Sequence, residues 1–230
     1  MKKRISFFTI ITFLFLGFSA YAQKSGGTLV YLVQPEPPSM ASYISTSGPI
    51  GLVAPKIYEG LFDYDNDGKI IYVLAESHSV SSDGKTVTFK LRKGVKWHDG
   101  KSFTSDDVAF TVMNVLKKFH PRGPNSFREV TSIDTPDSHT AIFNLRNPAP
   151  YMLRALSAYE SPIVPKHLLE GTDIKSAKLG NNPVGTGPFK FVEWKKGQYV
   201  RLDKNKNYWR PGLPYPVSYT HLTLPTKVTV

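Results

Sequence analysis

The sequence contains no cysteine. This absence excludes a disulfide framework, a cysteine-based zinc or iron–sulfur site, a thiol nucleophile and a lipid anchor on an N-terminal cysteine. Beyond the first 22 residues there is also no apolar run long enough to span a bilayer. The 230 residues are 40% hydrophobic and 20% charged, which is typical of a folded soluble protein. Packing alone must therefore stabilise one large domain or two small ones.

Residues 1–22 have the pattern of a secretory signal peptide. Basic residues at positions 2–4 precede an apolar run from Ile5 to Phe18, and Ala20 and Ala22 provide the small side chains of a cleavage site. The pattern predicts export to the periplasm with cleavage after Ala22. The alternative is a retained membrane anchor, because the apolar run approaches the length of a bilayer span.

Residues 217–230 show no pattern continuous with the preceding chain. They resemble a translated sequencing adaptor of the transposon type. We therefore predict a non-native tail at 217–230 and a native chain that runs to about Pro216. The alternative is a genuine β-rich terminus.

Apolar periodicity predicts a mixed α/β fold. Thr28–Val33 is predicted to be a buried strand, and a helix is expected from Pro49 until Gly60 ends it. A second helix follows Thr104, with Asp107 as its capping-box partner. Alternation and turn residues predict three hairpins, which pair Ser77–Ser81 with Lys85–Arg92, Val130–Asp134 with Thr140–Leu145, and Phe189–Glu193 with Tyr199–Asp203.

The acidic and histidine motifs do not complete a metal site. Asp63, Asp65 and Asp67 match the first half of a calcium loop, but Leu74 stands where a bidentate glutamate is needed. His98 lacks further ligands nearby and belongs to a predicted turn. No metal is predicted.

Cofactor, catalytic and nucleic-acid motifs are equally incomplete. Gly180 and Gly185 have phosphate-loop spacing, but Thr186 replaces the required lysine, and Gly185 and Gly187 lack the third glycine of a dinucleotide fingerprint. No catalytic residue, enzyme activity or cofactor is predicted. A solvated basic face, rather than a nucleic-acid site, explains Lys195, Lys196, Lys204 and Lys206 in an exported chain.

Several ordered motifs resemble family 5 solute-binding proteins of ABC importers, the dipeptide and oligopeptide binders. The longest is Leu74–Val112, LAESHSVSSDGKTVTFKLRKGVKWHDGKSFTSDDVAFTV. The others are Ile57–Leu61, Pro162–His167, Val184–Phe189 and Asn207–Trp209. Together they cover nearly all of Thr28–Pro216.

The resemblance implies an α/β fold of the type II, two-lobed periplasmic binding protein class, here truncated to the first lobe and its hairpin-rich subdomain. The implied segments are the signal peptide 1–22, lobe I 23–59, an inserted subdomain 60–165, a return to lobe I at 166–216 and the tail 217–230. The implied protein is a monomer that delivers its ligand to permease and ATPase subunits and meets the membrane only through the permease.

The resemblance also indicates ligand contacts. Thr46, Ser47 and Gly48 stand where dipeptide binders place a Thr-Ser-Gly that touches the ligand backbone; the alternative is a Ser47 helix cap. Gly185, Thr186 and Gly187 are expected near the interlobe region, although the glycines alternatively only permit a tight strand entry. The charged residues that hold the ligand termini lie in the second lobe of relatives and have no counterpart here.

The expected function is capture of di- or oligopeptides for import. Members of the family also carry nickel chelates, haem, opines, glutathione or sugars, and the residues present do not choose among them. A further alternative is a secreted protein repurposed for signalling or chaperone-like interaction.

Overall fold

The computed structural model describes residues 26–222; the predicted signal peptide lies outside this range. The strands are β1 (Thr28–Leu32), β2 (Phe62–Tyr64), β3 (Ile70–Tyr72), β4 (Ala75–Val80), β5 (Thr86–Leu91), β6 (Val130–Asp137), β7 (Thr140–Leu145), β8 (Phe189–Lys195), β9 (Tyr199–Lys204) and β10 (Ser218–Leu222). The α-helices are α1 (Gly48–Val53), α2 (Ser105–Phe110), α3 (Lys117–Phe119), α4 (Gly123–Ser126), α5 (Tyr151–Arg154) and α6 (Lys166–Leu169). None of the helices in residues 26–222 is long and apolar enough to cross a membrane.

The hairpin-rich part of the chain forms an antiparallel sheet in the order β4-β5-β7-β6. Both predicted hairpins in this region are confirmed, since β4 pairs with β5 and β6 with β7. Val87, Phe89 and Leu91 of β5 are all buried, as the alternation of apolar and polar residues predicts. A small two-stranded sheet, β2-β3, precedes it.

The capped helix after Thr104 is also confirmed. Thr104 and Asp107 form the predicted capping box at the start of α2. The helix continues through a π-helical stretch, Thr111–Leu116, into α3. α2 packs on β6 and β7, so the first part of this helical segment covers the sheet.

A second four-stranded sheet has the order β1-β10-β9-β8. The last predicted hairpin is confirmed as β8 and β9, which pair antiparallel. β10 lies between β9, to which it is antiparallel, and β1, to which it is parallel. Ser218–Leu222, part of the predicted tail, is thus a strand of this sheet, whereas residues 223–230 lie outside the described residues. The non-native origin of 217–230 stays a prediction.

The prediction that the first strand is buried is wrong. β1 forms, but the exposed fractions of Leu29, Val30, Tyr31 and Leu32 are 47%, 55%, 44% and 52%. The strand lies at the edge of its sheet, and all five of its residues are exposed. An apolar run predicts a strand from its local chemistry, but burial requires a covering layer.

The helix predicted from Pro49 to Gly60 is shorter than expected. α1 ends at Val53 and continues only as a 3₁₀ turn, Ala54–Lys56. Pro55 has no amide hydrogen for the α-helical bond and therefore disfavours continuation. The apolar face is nevertheless buried as predicted, with Ile50 and Ile57 in the single contiguous core.

Candidate ligand-binding site

The predicted ligand loop lies at the start of α1. Thr46 and Ser47 are half-buried and Gly48 is exposed. Ser47 occupies the N-cap position, but its side chain makes no capping hydrogen bond. A Cβ placed on Gly48 would meet no atom within 4 Å. Gly48 is the first helical residue, and its N–H therefore has no partner within the helix.

The second predicted loop packs tightly against the end of the same helical segment. A Cβ on Gly185 would overlap the carbonyl oxygen of Ile57, and one on Gly187 would lie 2.6 Å from that oxygen. The Gly187 N–H donates to the Ile57 carbonyl oxygen at 2.9 Å. Both glycines are therefore required by a close approach of two backbones, which favours the alternative of a tight strand entry.

Thr186 points from this loop to a buried carboxylate. Its hydroxyl donates to Glu59 Oε2 at 2.9 Å, and the Trp209 Nε1–H donates to the same oxygen at 2.9 Å. The Tyr208 hydroxyl donates to Glu59 Oε1 at 2.6 Å. Three of the sequence motifs, around residues 59, 186 and 208, thus meet at one carboxyl group.

Burial disfavours the charged form of Glu59, whereas its hydrogen-bond donors favour that form. Burial raises the pKa of this carboxyl, while the donors from Tyr208, Trp209 and Thr186 and the nearby Arg210 oppose the rise. The guanidinium carbons of Arg92 and Arg210 lie 4.2 and 4.6 Å from the Trp209 ring centroid. The carboxyl group therefore acts as a structural junction with every oxygen bonded.

His98 holds both ends of the loop at 185–187. Its Nε2–H donates to the Gly187 carbonyl oxygen at 2.9 Å, and its Nδ1 accepts from the Gly185 N–H at 3.3 Å. A carbonyl can only accept and an amide can only donate, so these partners select the neutral Nε2–H tautomer. Burial lowers the pKa of His98 to about 4, with a further lowering by Lys190.

A second buried carboxylate joins the other motifs. Asp107 Oδ2 accepts from the Trp97 Nε1–H at 3.2 Å, and its Oδ1 accepts from the Lys166 N–H at 2.9 Å. Burial raises the pKa of Asp107. Beside it, His167 Nε2 lies 2.6 Å from Asp99 Oδ2. The signature region therefore serves to lock elements together.

The acidic turn at residues 63–68 is closed by its own hydrogen bonds. Asp65 Oδ1 accepts from the N–H groups of Asp67 and Lys69 at 3.0 and 2.8 Å and so closes the turn between β2 and β3. Among residues 26–222, no group of three or more histidine, aspartate or glutamate side chains is placed to hold a metal ion.

The two predicted loops are not brought together. Residues 46–48 lie at the start of the helical segment 48–56, whereas Gly185 and Gly187 pack against Ile57 at its end. A cavity of about 530 Å³ is lined by Asp99, Leu168, Lys178 and Val184 among others, but by none of the six predicted residues. The predicted ligand loop is thus separate from this cavity, and only Gly48 of its three residues is exposed.

Sequence reasoning missed the roles of Glu59 and His98. Glu59 bonds a residue 127 positions away, and His98 bonds residues 87 and 89 positions away. No local spacing rule connects such positions. Their presence inside the recognised motifs was the available signal, but the motifs alone do not say which side chains meet.

The comparisons with known proteins identify a family. Residues 69–226 match the family model described as "Bacterial extracellular solute-binding proteins, family 5 Middle". The chain is 34% identical over 216 residues to the oligopeptide-binding protein AppA of Bacillus subtilis, covering 90% of this chain and 39% of AppA. It is 35% identical over 168 residues to the glutathione-binding protein GsiB of Pectobacterium atrosepticum, covering 70% of this chain and 31% of GsiB.

Solved structures show the same similarity. The structure of AppA in complex with a nonapeptide matches with a TM-score of 0.79 and 32% identity, covering 88% of this chain and 41% of that one. NikZ from Campylobacter jejuni in complex with Ni(L-His) matches with a TM-score of 0.73 and 29% identity, covering 86% and 39%. The mixed α/β, periplasmic-binding-protein fold is therefore confirmed, and the chain spans between 31% and 41% of the length of these relatives.

Proposed function

Since this chain belongs to family 5 of the bacterial extracellular solute-binding proteins, we propose that it is the substrate-binding component of an ABC importer for di- or oligopeptides. The peptide is captured between two lobes and passed to a membrane permease driven by ATPase subunits. The protein acts in the periplasm as a monomer and performs no chemistry on its ligand.

The observation that carries this proposal is the similarity to AppA. That relative matches 90% of this chain in sequence, and its solved structure, with a TM-score of 0.79, contains a nonapeptide. The surface at Thr46, Ser47 and Gly48 is consistent with the same ligand class, because hydroxyls and a free amide are suited to the backbone of an extended peptide.

The backbone donor of Gly48 offers a sharp test. Gly48→Pro removes this N–H at the first helical position, where proline is over-represented, and, like alanine there, it places a Cβ directly before Pro49. Ser47 already has φ −59° and ψ 128°, the extended conformation that a following proline requires. Gly48→Ala is the matched control, since it keeps the N–H and its Cβ meets open space.

Isothermal titration of the full-length protein with trialanine measures the effect. We expect Gly48→Pro to weaken binding about tenfold, the loss of one well-made hydrogen bond, and Gly48→Ala to bind like the wild type. A wild-type protein that binds neither trialanine nor longer peptides contradicts the proposed function. Equal binding by both variants contradicts the role of the Gly48 amide.

A non-peptide solute is the second candidate. It is favoured by the 35% identity to a glutathione-binding protein and by the similarity to NikZ, whose structure contains Ni(L-His). Titration with glutathione and with nickel–histidine distinguishes these ligands from peptides. Saturable binding of either one, without binding of trialanine, would replace the peptide proposal.

A further inference from the structure

Tyr159 lies against the first turn of α1, beside the predicted ligand loop. A Cβ on Gly51 would overlap Cε2 of the Tyr159 ring and lie 3.0 Å from Cδ2 and 3.3 Å from Cζ. The Gly51 N–H donates to the Ser47 carbonyl oxygen at 3.0 Å. The ring therefore packs one helical turn beyond Ser47, in space that a glycine at position 51 leaves free.

The backbone around Tyr159 is firmly attached. The N–H groups of Glu160 and Ser161 donate to the Ser157 carbonyl oxygen at 3.2 and 2.8 Å and form a turn. Ser157 itself bridges Phe62 at the start of β2. The position of the ring relative to α1 is thus set by the fold.

The ring is held on one side and open on another. The Arg122 guanidinium carbon lies 5.5 Å from the ring centroid, and Arg122 Nε lies 2.8 Å from Glu160 Oε2. Even so, 44% of Tyr159 is exposed, whereas Tyr43 and Tyr58 are fully buried. Core packing does not account for an aromatic ring that is oriented but uncovered.

We propose that Tyr159 is a specificity-determining residue of the ligand site. Its exposed ring forms a wall beside Thr46, Ser47 and Gly48 and receives an apolar or aromatic side chain of the bound peptide. A tyrosine provides a large contact area at low entropic cost, which is why tyrosines are enriched at binding hot spots. The inference rests on the proposed function, because it assigns a subsite to the same peptide site.

Two peptides that differ in one side chain test this role in the full-length protein. Ala-Phe-Ala carries a phenyl ring on its central residue, and trialanine carries a methyl group there. We expect Tyr159→Ala to weaken Ala-Phe-Ala about tenfold, within the range for a lost aromatic pair and its buried area. Trialanine binding should change less than about twofold by the same reasoning.

Tyr151→Ala is the matched control. Tyr151 is 39% exposed and has the Arg128 guanidinium carbon 5.2 Å from its ring centroid, but it lies on α5 instead of against α1. This variant should bind both peptides like the wild type. Gly51→Ala provides a second route, because its methyl group takes the space of the Tyr159 ring and should reproduce the selective loss with the tyrosine retained.

The outcomes separate the inference from the proposed function. Selective loss of Ala-Phe-Ala binding by Tyr159→Ala and Gly51→Ala supports the subsite. Equal changes for both peptides, or no change, overturn it while peptide binding by the wild type leaves the proposed function standing. A wild-type protein that binds neither peptide overturns the proposed function and the inference with it.

Discussion

Apolar strands of the two four-stranded sheets differ in how deeply their side chains are buried. In the sheet β4-β5-β7-β6, Phe89 is fully buried, and its ring centroid lies 4.9 Å from that of Phe143 and 5.6 Å from that of Phe62. In the sheet β1-β10-β9-β8, the edge strand β1 exposes all five of its side chains. The difference lies in the edge strand, because Val200 and Leu202 of β9 in the same sheet are fully buried, whereas β1 is paired on one side only and is exposed.

The polar groups show the same contrast. On the first sheet, Asn144 Nδ2–H donates to Ser132 Oγ at 3.0 Å and to Asp134 Oδ2 at 2.8 Å. On the second, His221 of β10 is fully buried, and neither ring nitrogen has a hydrogen-bond partner among residues 26–222. An unpaired buried polar group destabilises the folded state. His221 is therefore a weak point of the second sheet.

Among the predictions, the largest effect on the free energy of unfolding is expected at Leu91, for which Leu32 is the matched control. Leu91 of β5 is 1% exposed and Leu32 of β1 is 52% exposed. We expect Leu91→Ala to lower the free energy of unfolding by about 2–5 kcal/mol, the usual cost of emptying a core site. Leu32→Ala should change it by less than about 0.5 kcal/mol. Urea denaturation of the full-length protein at neutral pH measures both, and a large cost at Leu32 would show that β1 is covered.

A pH titration tests the hydrogen bonds between His98 and the loop at 185–187. The pKa of His98 is lowered to about 4 by burial, so between pH 6.5 and 4 the unfolded chain binds a proton that the folded protein does not. Stability should therefore fall as the pH falls through this window, by roughly 3 kcal/mol for this one group. His120 and His221, whose pKa values are also lowered to about 4, add to the slope.

Replacing His98 isolates its share of the pH dependence. His98→Gln keeps a donor and an acceptor but does not titrate, so the loss of stability between pH 6.5 and 4 should become shallower than in the wild type. Thermal melts across this range measure the slope. Identical slopes in the two proteins would show that His98 is free to accept a proton in the folded state.

The smallest effect is expected at His221. In the 230-residue chain, His221→Leu removes two ring nitrogens that have no partner among residues 26–222, at similar volume, and should raise the free energy of unfolding by about 1 kcal/mol. A loss of stability in urea denaturation would show that the ring has partners in the folded protein.

Contiguous DNA sequence through codon 216 tests the separate prediction that 217–230 is a non-native tail.

Local chemistry made several elements predictable. The hairpins at β4–β5, β6–β7 and β8–β9 follow from alternation and turn residues, and the start of α2 follows from Thr104 and Asp107. In each case the residues that carry the signal are close in the chain. Their hydrogen bonds and buried faces are therefore decided by short-range geometry.

The family is recognisable from motifs in a fixed order, and most of the strands and the helices α1 and α2 follow from local patterns of residues. The exposure of β1, the convergence of three motifs on Glu59, the hydrogen bonds of His98 to the loop at 185–187 and the position of Tyr159 against Gly51 emerge only from the folded chain. These features join residues that are far apart in the sequence. Periodicity reports which face of an element is apolar, but the packing of remote segments decides what that face meets.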